Sequence, residues 1–258
     1  MALRTVVRSL SELCITVGVL IVLFVVHLLY WTGVRADSAS DSEIAHLRKE
    51  WAGHSTSQGS GGGSGTQAGK GGGAGDEAQS GADGGAGGQQ PAAARRYVDG
   101  RSFAVMYIPR FGRDWAKPVL ENTAEGTLRK GLGHYTRSDH LGAEGNFAVA
   151  GHRRTYGDPF KDFPRLRPGD PVVVTDGDTW FTYTITRRPY RTLPTDTGVL
   201  DAVPDPLDKA AAPYDRPGRY LTLTTCDPEW GSSHRLIAWA HLDAVRPASE
   251  GKPDALTR

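Results

Sequence analysis

The chain has 258 residues, 38% of them hydrophobic and 23% charged, with a formal net charge of +1. That length accommodates one or two domains with a packed core, and the near-zero charge leaves no electrostatic footprint for nucleic acid or a charge-steered partner. The 33 glycines are too many for a uniformly folded chain, so part of it stands outside the core.

Residues 1–12 read as a short N-terminus carrying Arg4 and Arg8, followed by an almost wholly apolar run from Leu13 to Trp31. The run is long enough for the roughly 20 residues of helix that cross a bilayer, and residues 13–34 are read as a transmembrane anchor. The basic N-terminus favours the cytoplasmic side, which puts everything after the span outside the cell. A cleaved signal peptide is the second reading, but its apolar region is normally only about 7–15 residues. Tyr30 and Trp31 suit an aromatic anchor at the outer interface.

Residues 35–96 read as an extracellular linker. Within it Ile44, Leu47 and Trp51 form a weak helical pattern, and Ser55 to Gln90 is mostly glycine, serine, alanine and glutamine. Such composition cannot bury enough surface to offset ordering entropy. A flexible tether of about 36 residues spans on the order of 30–35 Å, which lifts a folded head off the membrane without fixing its orientation.

Folded sequence is expected over 97–247, with 248–258 as a flexible tail. Phe103–Ile108 and Trp115–Leu120 read as strands, Thr123–Gly131 as a short helix or turn, and Phe147–Ala150 as a strand leading to His152. Phe160–Leu166 has helical apolar spacing. Val172–Val174 and Phe181–Arg187 form a hairpin around Asp176-Gly177-Asp178. Pro189 to Pro217 is too long for an ordinary turn and is a candidate substrate-binding loop. Tyr220 to Cys226 and Leu236 to Val245 complete the set. Short strands at close spacing with few helices indicate an all-β fold, an antiparallel barrel or sandwich.

The chemistry concentrates at Cys226. Cys14 lies in the apolar run, so Cys226 is the single thiol of the folded region, and a lone thiol in an external domain is either paired with another chain or reactive. It ends a buried-type strand, stopped by Asp227-Pro228, because proline fixes its own φ and donates nothing to a ladder. Arg235 opens the next strand, so if the two strands are neighbours the thiol and the guanidinium share one end of the sheet. A nearby cation can lower a thiol's pKa and hold a developing oxyanion.

Thr222-Leu223-Thr224-Thr225-Cys226 followed by Arg235 resembles the Thr-Leu-x-Thr-Cys and downstream arginine of sortases, the membrane-anchored cysteine transpeptidases of Gram-positive bacteria. Asn146-Phe147-Ala148-Val149-Ala150-Gly151-His152-Arg153 supplies the histidine of that pattern. The resemblance runs from about Phe103 to Val245. It implies an eight-stranded β-barrel with His152, Cys226 and Arg235 as catalytic residues, Thr225 beside them as a substrate contact, and no carboxylate assigned to the histidine.

Gly131-Leu132-Gly133-His134-Tyr135 and Gly151 to Phe160 are most similar to class E sortases of actinobacteria, although that class carries proline where Leu132 stands. No hydrophobic tail follows Val245 and the Gly-rich stretch has no aspartate-proline-aromatic motif, features of the pilin-polymerising class. The resemblance implies cleavage of a C-terminal sorting signal, Leu-Ala-x-Thr-Gly or Leu-Pro-x-Thr-Gly, between threonine and glycine. The implied partners are surface proteins bearing that signal and a lipid-linked peptidoglycan precursor as amine acceptor, with Tyr135 as a substrate-binding residue. No cofactor and no metal site is expected. Asp139 and Glu144 are too sparse for a calcium cluster, and Asp176 and Asp178 are turn formers. A pilin-polymerising sortase, a cysteine-dependent wall hydrolase or L,D-transpeptidase, and a non-catalytic surface-binding barrel remain as alternatives.

Overall fold

The computed structural model describes residues 2–58 and 97–257. One helix, α1 (Ala2–Gln58), precedes nine strands: β1 (Ser102–Tyr107), β2 (Ala116–Glu121), β3 (Leu132–His134), β4 (Gly145–Ala150), β5 (Pro171–Thr175), β6 (Thr179–Ile185), β7 (Tyr190–Thr192), β8 (Arg219–Asp227) and β9 (His234–Pro247). A single helical turn, α2 (Glu125–Leu128), lies between β2 and β3.

The strands hydrogen-bond in the order β6-β5-β1-β2-β3-β4-β8-β9, and β6 pairs again with β9. This closes an eight-stranded barrel, with β7 as a ninth strand added along β9. Closure removes the unpaired edges that an open sheet would present. Because β6 pairs with the far part of β9 (Ile185↔Ala240 through Thr179↔Pro247) and β8 with its near part, β9 must be long.

Alternation along each strand decides what goes inside. Ala104 and Met106 of β1, Phe147 and Val149 of β4, Val172 and Val174 of β5, and Leu221 and Leu223 of β8 fill the barrel with Phe160, Phe163 and Leu166. Residues one position out of phase face outward. Leu132 of β3 is fully buried in this core.

Most expected strands are present within a residue or two of their predicted ends. The barrel is mixed rather than antiparallel, since β2–β3 and β4–β8 are parallel pairs. Phe160–Leu166 forms only a 3-10 turn at Phe163–Arg165, its apolar residues being drawn into the core singly rather than along a helical face. The tail expected beyond 247 forms two 3-10 turns, and the second packs near β5 with Pro253 buried.

The N-terminal half departs further from expectation. Helix α1 runs unbroken for 57 residues, through the predicted anchor and well into the predicted linker. Its segment from Asp37 to Trp51 meets the outer face of β1 and β2. The tether Ser55–Gln90 lies outside the described residues apart from Ser55–Gln58, which are helical. Among the described residues no helix is long and apolar enough to cross a membrane.

Candidate active site

Strands β4, β8 and β9 lie side by side, and each delivers one residue to the same end of the barrel. In β8–β9 Cys226 is the register partner of Arg235, so both project to one face. On the other side β4 runs parallel to β8, with Ala150 opposite Thr224. Two residues further on, His152 follows Ala150 as Cys226 follows Thr224. Gly151 still pairs with β8, its N–H donating to the Thr224 carbonyl at 3.1 Å, so the chain segments that carry His152 and Cys226 run side by side.

The face is the outer one. Leu221 and Leu223 enter the core, so Thr222, Thr224 and Cys226 point out, opposite Trp239, Ile237 and Arg235. Beside them lie Ala148 and Ala150 of β4. The small side chains of β4 and β8 on this face are buried, Ala148 and Thr222 fully, and Thr222 lies under the Val199 carbonyl. Val199, from the Pro189–Pro217 segment, packs on Ile237 and Trp239, and Trp239 Nε1 donates to its carbonyl at 3.3 Å. Asn146 holds this segment down, with its amide on the Asp201 carbonyl at 3.0 Å. Tyr135 borders the other side, its hydroxyl 2.9 Å from Thr224 Oγ1.

Cys226 is partly exposed and unpaired. Arg235 Nη1 donates to the carbonyls of Ser232 and His234 at 2.9 and 3.0 Å, which pins one arm of the guanidinium and leaves the other without a protein partner among the described residues. His152 is largely buried, and its Nε2 has no hydrogen-bond partner. Burial lowers its pKa below the ordinary histidine value, reinforced by Arg129 and opposed by the carboxylates of Glu125 and Asp158. This disfavours the imidazolium form. His134 contrasts with it: both ring nitrogens are engaged, Nδ1 with Glu121 at 2.6 Å and Nε2 with Ser138 at 3.0 Å. That pairing is structural.

The turn carrying His152 is tightly built. A Cβ at Gly151 would come within 2.7 Å of Phe160 and 2.8 Å of Leu132, so only glycine allows the chain to leave β4 there. Thr155, Tyr156, Gly157 and Asp158 then all have positive φ. For the three non-glycine residues this costs on the order of 1–3 kcal/mol each. Tyr156 returns to the histidine, with ring centroids 5.2 Å apart, and Arg129 lies 5.0 Å over the tyrosine ring.

Thr225 is out of phase with Cys226 and buried, and its hydroxyl donates to the Gly151 carbonyl at 2.8 Å, which ties β8 to the histidine turn.

A second network was not read from the sequence. Asp227 receives Arg153 Nη1 at 3.4 Å and Arg191 Nε at 2.7 Å, and Arg191 Nη2 lies 2.9 Å from His234 Nδ1. Asp227, Arg153 and His234 are the chain neighbours of Cys226, His152 and Arg235. The available signal was that each motif residue has a charged or titratable neighbour. Among the described residues no group of three or more His, Cys, Asp or Glu could hold a metal ion.

The sequence model of the Sortase domain family matches residues 106–243. Sortase SrtE1 of Streptomyces coelicolor is 34% identical over 256 residues, covering 96% of this chain and 60% of its own length. Sortase SrtE2 of the same organism is 31% identical over 249 residues, covering 92% of this chain and 81% of its own length. Among solved structures, sortase E from Streptomyces avermitilis is 63% identical with a TM-score of 0.57, covering 62% of this chain and 99% of that one. Sortase E1 from Streptomyces coelicolor, solved with a tripeptide in the active site, is 38% identical with a TM-score of 0.56, again covering 62% of this chain and 99% of that one.

Proposed function

The chain belongs to the sortase family, and from that premise we propose that it is a cysteine transpeptidase of the class E type, which cleaves a sorting signal between threonine and glycine and passes the threonine acyl group to a cell-wall amine. The observation that carries this is the pairing of Arg235 opposite Cys226 in β8–β9, with the residue before His152, Gly151, hydrogen-bonded to Thr224 and Thr225 of β8.

The steps follow from that placement. Cys226 Sγ attacks the threonine carbonyl carbon as its proton passes to the imidazole of His152. Charge developing on the carbonyl oxygen is met by the free arm of Arg235. Because burial makes the imidazolium a strong acid, it returns the proton to the departing glycine nitrogen, the C–N bond breaks, and a thioester remains on Cys226. An acceptor amine then attacks the thioester and loses a proton to His152. The C–S bond breaks, and the proton returns to the thiol. A relative has a tripeptide in its active site, which supports a linear peptide as substrate. We read Tyr135, whose hydroxyl meets Thr224 Oγ1, as the residue that discriminates at the second position of the signal, alanine against proline.

The same reading extends to location. Leu13, Ile15, Val17, Leu20, Ile21, Val22 and Phe24 are all exposed on α1, an apolar sleeve around the helix that water does not suit. Together with the apolar sequence on to Trp31, this supports a single-pass anchor with the barrel outside the cell. There it would meet surface proteins bearing the signal and a lipid-linked peptidoglycan precursor as the amine.

Incubating the protein with Leu-Ala-x-Thr-Gly and Leu-Pro-x-Thr-Gly peptides, with and without an acceptor amine, tests the reading by mass spectrometry. A thioester on Cys226 and an amine-dependent product are expected. Cleavage without amine incorporation would make the protein a hydrolase, and undiminished processing by Cys226→Ala would sink both enzymatic readings.

A further inference from the structure

Helix α1 does more than precede the barrel. Ser40, Ile44, Leu47 and Trp51 recur at intervals of four, three and four, which makes one stripe of a helix. Ser40, Ile44 and Leu47 are buried. The stripe packs on Val105, with Tyr107 and Ala116 beside it. Val105 is on the outward phase of β1, yet it is 0% exposed; its cover is α1. The Trp51 indole occupies the space beside the β5–β6 turn, where a Cβ at Gly177 would fall 2.4 Å from the ring.

Polar contacts flank this stripe with matched charge. Asp37 pairs with Lys117 at 3.0 Å, Glu43 with Lys130 at 3.5 Å, and Glu50 with Arg101 at 3.3 Å. Ser102 also donates to Glu43 at 2.8 Å. The acidic members are all on the helix and the basic members all on the barrel, so the surface selects this helix face. Asp37 is six residues past Trp31, about 9 Å along a helix.

We infer that Asp37–Trp51 is a fixed strut of the catalytic body, which holds the thiol site at a set height and orientation over the membrane surface whatever the length of the 59–96 segment. The membrane as reference plane rests on the anchor reading above; the docking of the helix does not. A tether would let the site roam. A strut makes the accessible acceptors and signals those within a narrow layer above the bilayer.

The test uses the full chain in vesicles, with Cys14→Ser, a fluorophore on Cys226 and an acceptor dye on the lipid headgroups. Doubling the length of the 59–96 segment leaves energy transfer unchanged if the strut holds, whereas a free tether would lengthen its mean span about 1.4-fold. Inserting one helical turn between Trp31 and Asp37 lowers transfer, by raising the site about 5 Å. The double change Ile44→Asp, Leu47→Asp releases the helix, and transfer then follows the 59–96 length. Transfer that tracks this length in the otherwise unaltered chain, or ignores the double change, overturns the inference. A chain that does not sediment with vesicles overturns the anchor reading alone. Docking is then decided in solution at two glycines of similar φ, +97° at Gly177 and +88° at Gly169, where the latter has open space. Gly177→Ala should lower Tm more than Gly169→Ala, and the excess should vanish in Trp51→Ala. Equal shifts would show that the helix is not docked.

Discussion

Arg153 and Asp227 face each other at 3.4 Å, and each is the chain neighbour of a reacting residue, His152 and Cys226. Both side chains are largely withdrawn from water, at 9% and 17% exposure. Asp227 also holds Arg191 of β7, and Arg191 reaches His234 beside Arg235. Three strand ends whose outer residues carry the chemistry are therefore clamped by the residues next to them. Asp227→Asn preserves shape and removes the charge that both arginines share. Leaving Arg153 without its counter-charge should cost about 3 kcal/mol, seen as a lower midpoint in urea. Because loosened geometry of about 1 Å costs on the order of 10²-fold, kcat should fall by about 10–100-fold. An Asp227→Asn enzyme with unchanged stability and kcat would remove Asp227 from the positioning of the site.

Arg235→Lys keeps the charge and loses the planar fork. One arm of the native guanidinium is pinned by two carbonyls, which a lysine cannot reproduce while also reaching an oxyanion. Losing an oxyanion donor typically lowers kcat by roughly 10²–10³, with KM little changed because the contact strengthens as charge develops. Peptide cleavage measured across substrate concentration and pH checks this. Recovery at high pH would instead assign Arg235 to thiol ionisation.

Thr225→Val removes the donor to the Gly151 carbonyl while keeping the side-chain shape. A buried acceptor left unpaired costs about 1–3 kcal/mol, and the histidine turn loses its tie to β8. Thermal unfolding should show the loss of stability, and peptide kinetics a lower kcat at similar KM. A change confined to KM would instead make Thr225 a substrate contact.

His152 gives a pH signature of folding. Burial lowers its folded pKa below the reference value of 6.5, so between those two values the unfolded chain binds the proton and the folded chain does not. Stability then rises with pH through that window. The contribution of His152 is full above about pH 6.5, declines as pH falls to the folded pKa, and changes no further below it. Urea unfolding of wild type and His152→Gln at pH 5 and 7.5 isolates it, with the smaller pH difference expected in the variant. A larger difference in the variant would reverse the sign of the shift.

The sequence by itself determined what depends on local pattern. Apolar runs marked β1, β2, β4, β8 and β9, because β-branched, aromatic and leucine side chains suit a buried pleated surface. The end of β8 at Asp227-Pro228 placed Cys226 at a strand mouth for the same local reason. The three-residue strands β3 and β7 are too short to carry a period and exist through their partners. Pairing across sequence distance was decided only in the tertiary structure: β4 beside β8 in parallel, which runs the segment carrying His152 alongside that carrying Cys226, and Arg191 of β7 drawn to Asp227. Thr225 shows the boundary well, since its neighbour's chemistry was legible but the carbonyl that claims its hydroxyl belongs to another strand. Helix α1 shows it again. Ile44, Leu47 and Trp51 announced an apolar face, but only the folded barrel supplies Val105 and the basic residues that cover it, because a local pattern specifies which face needs a partner and not which surface provides one.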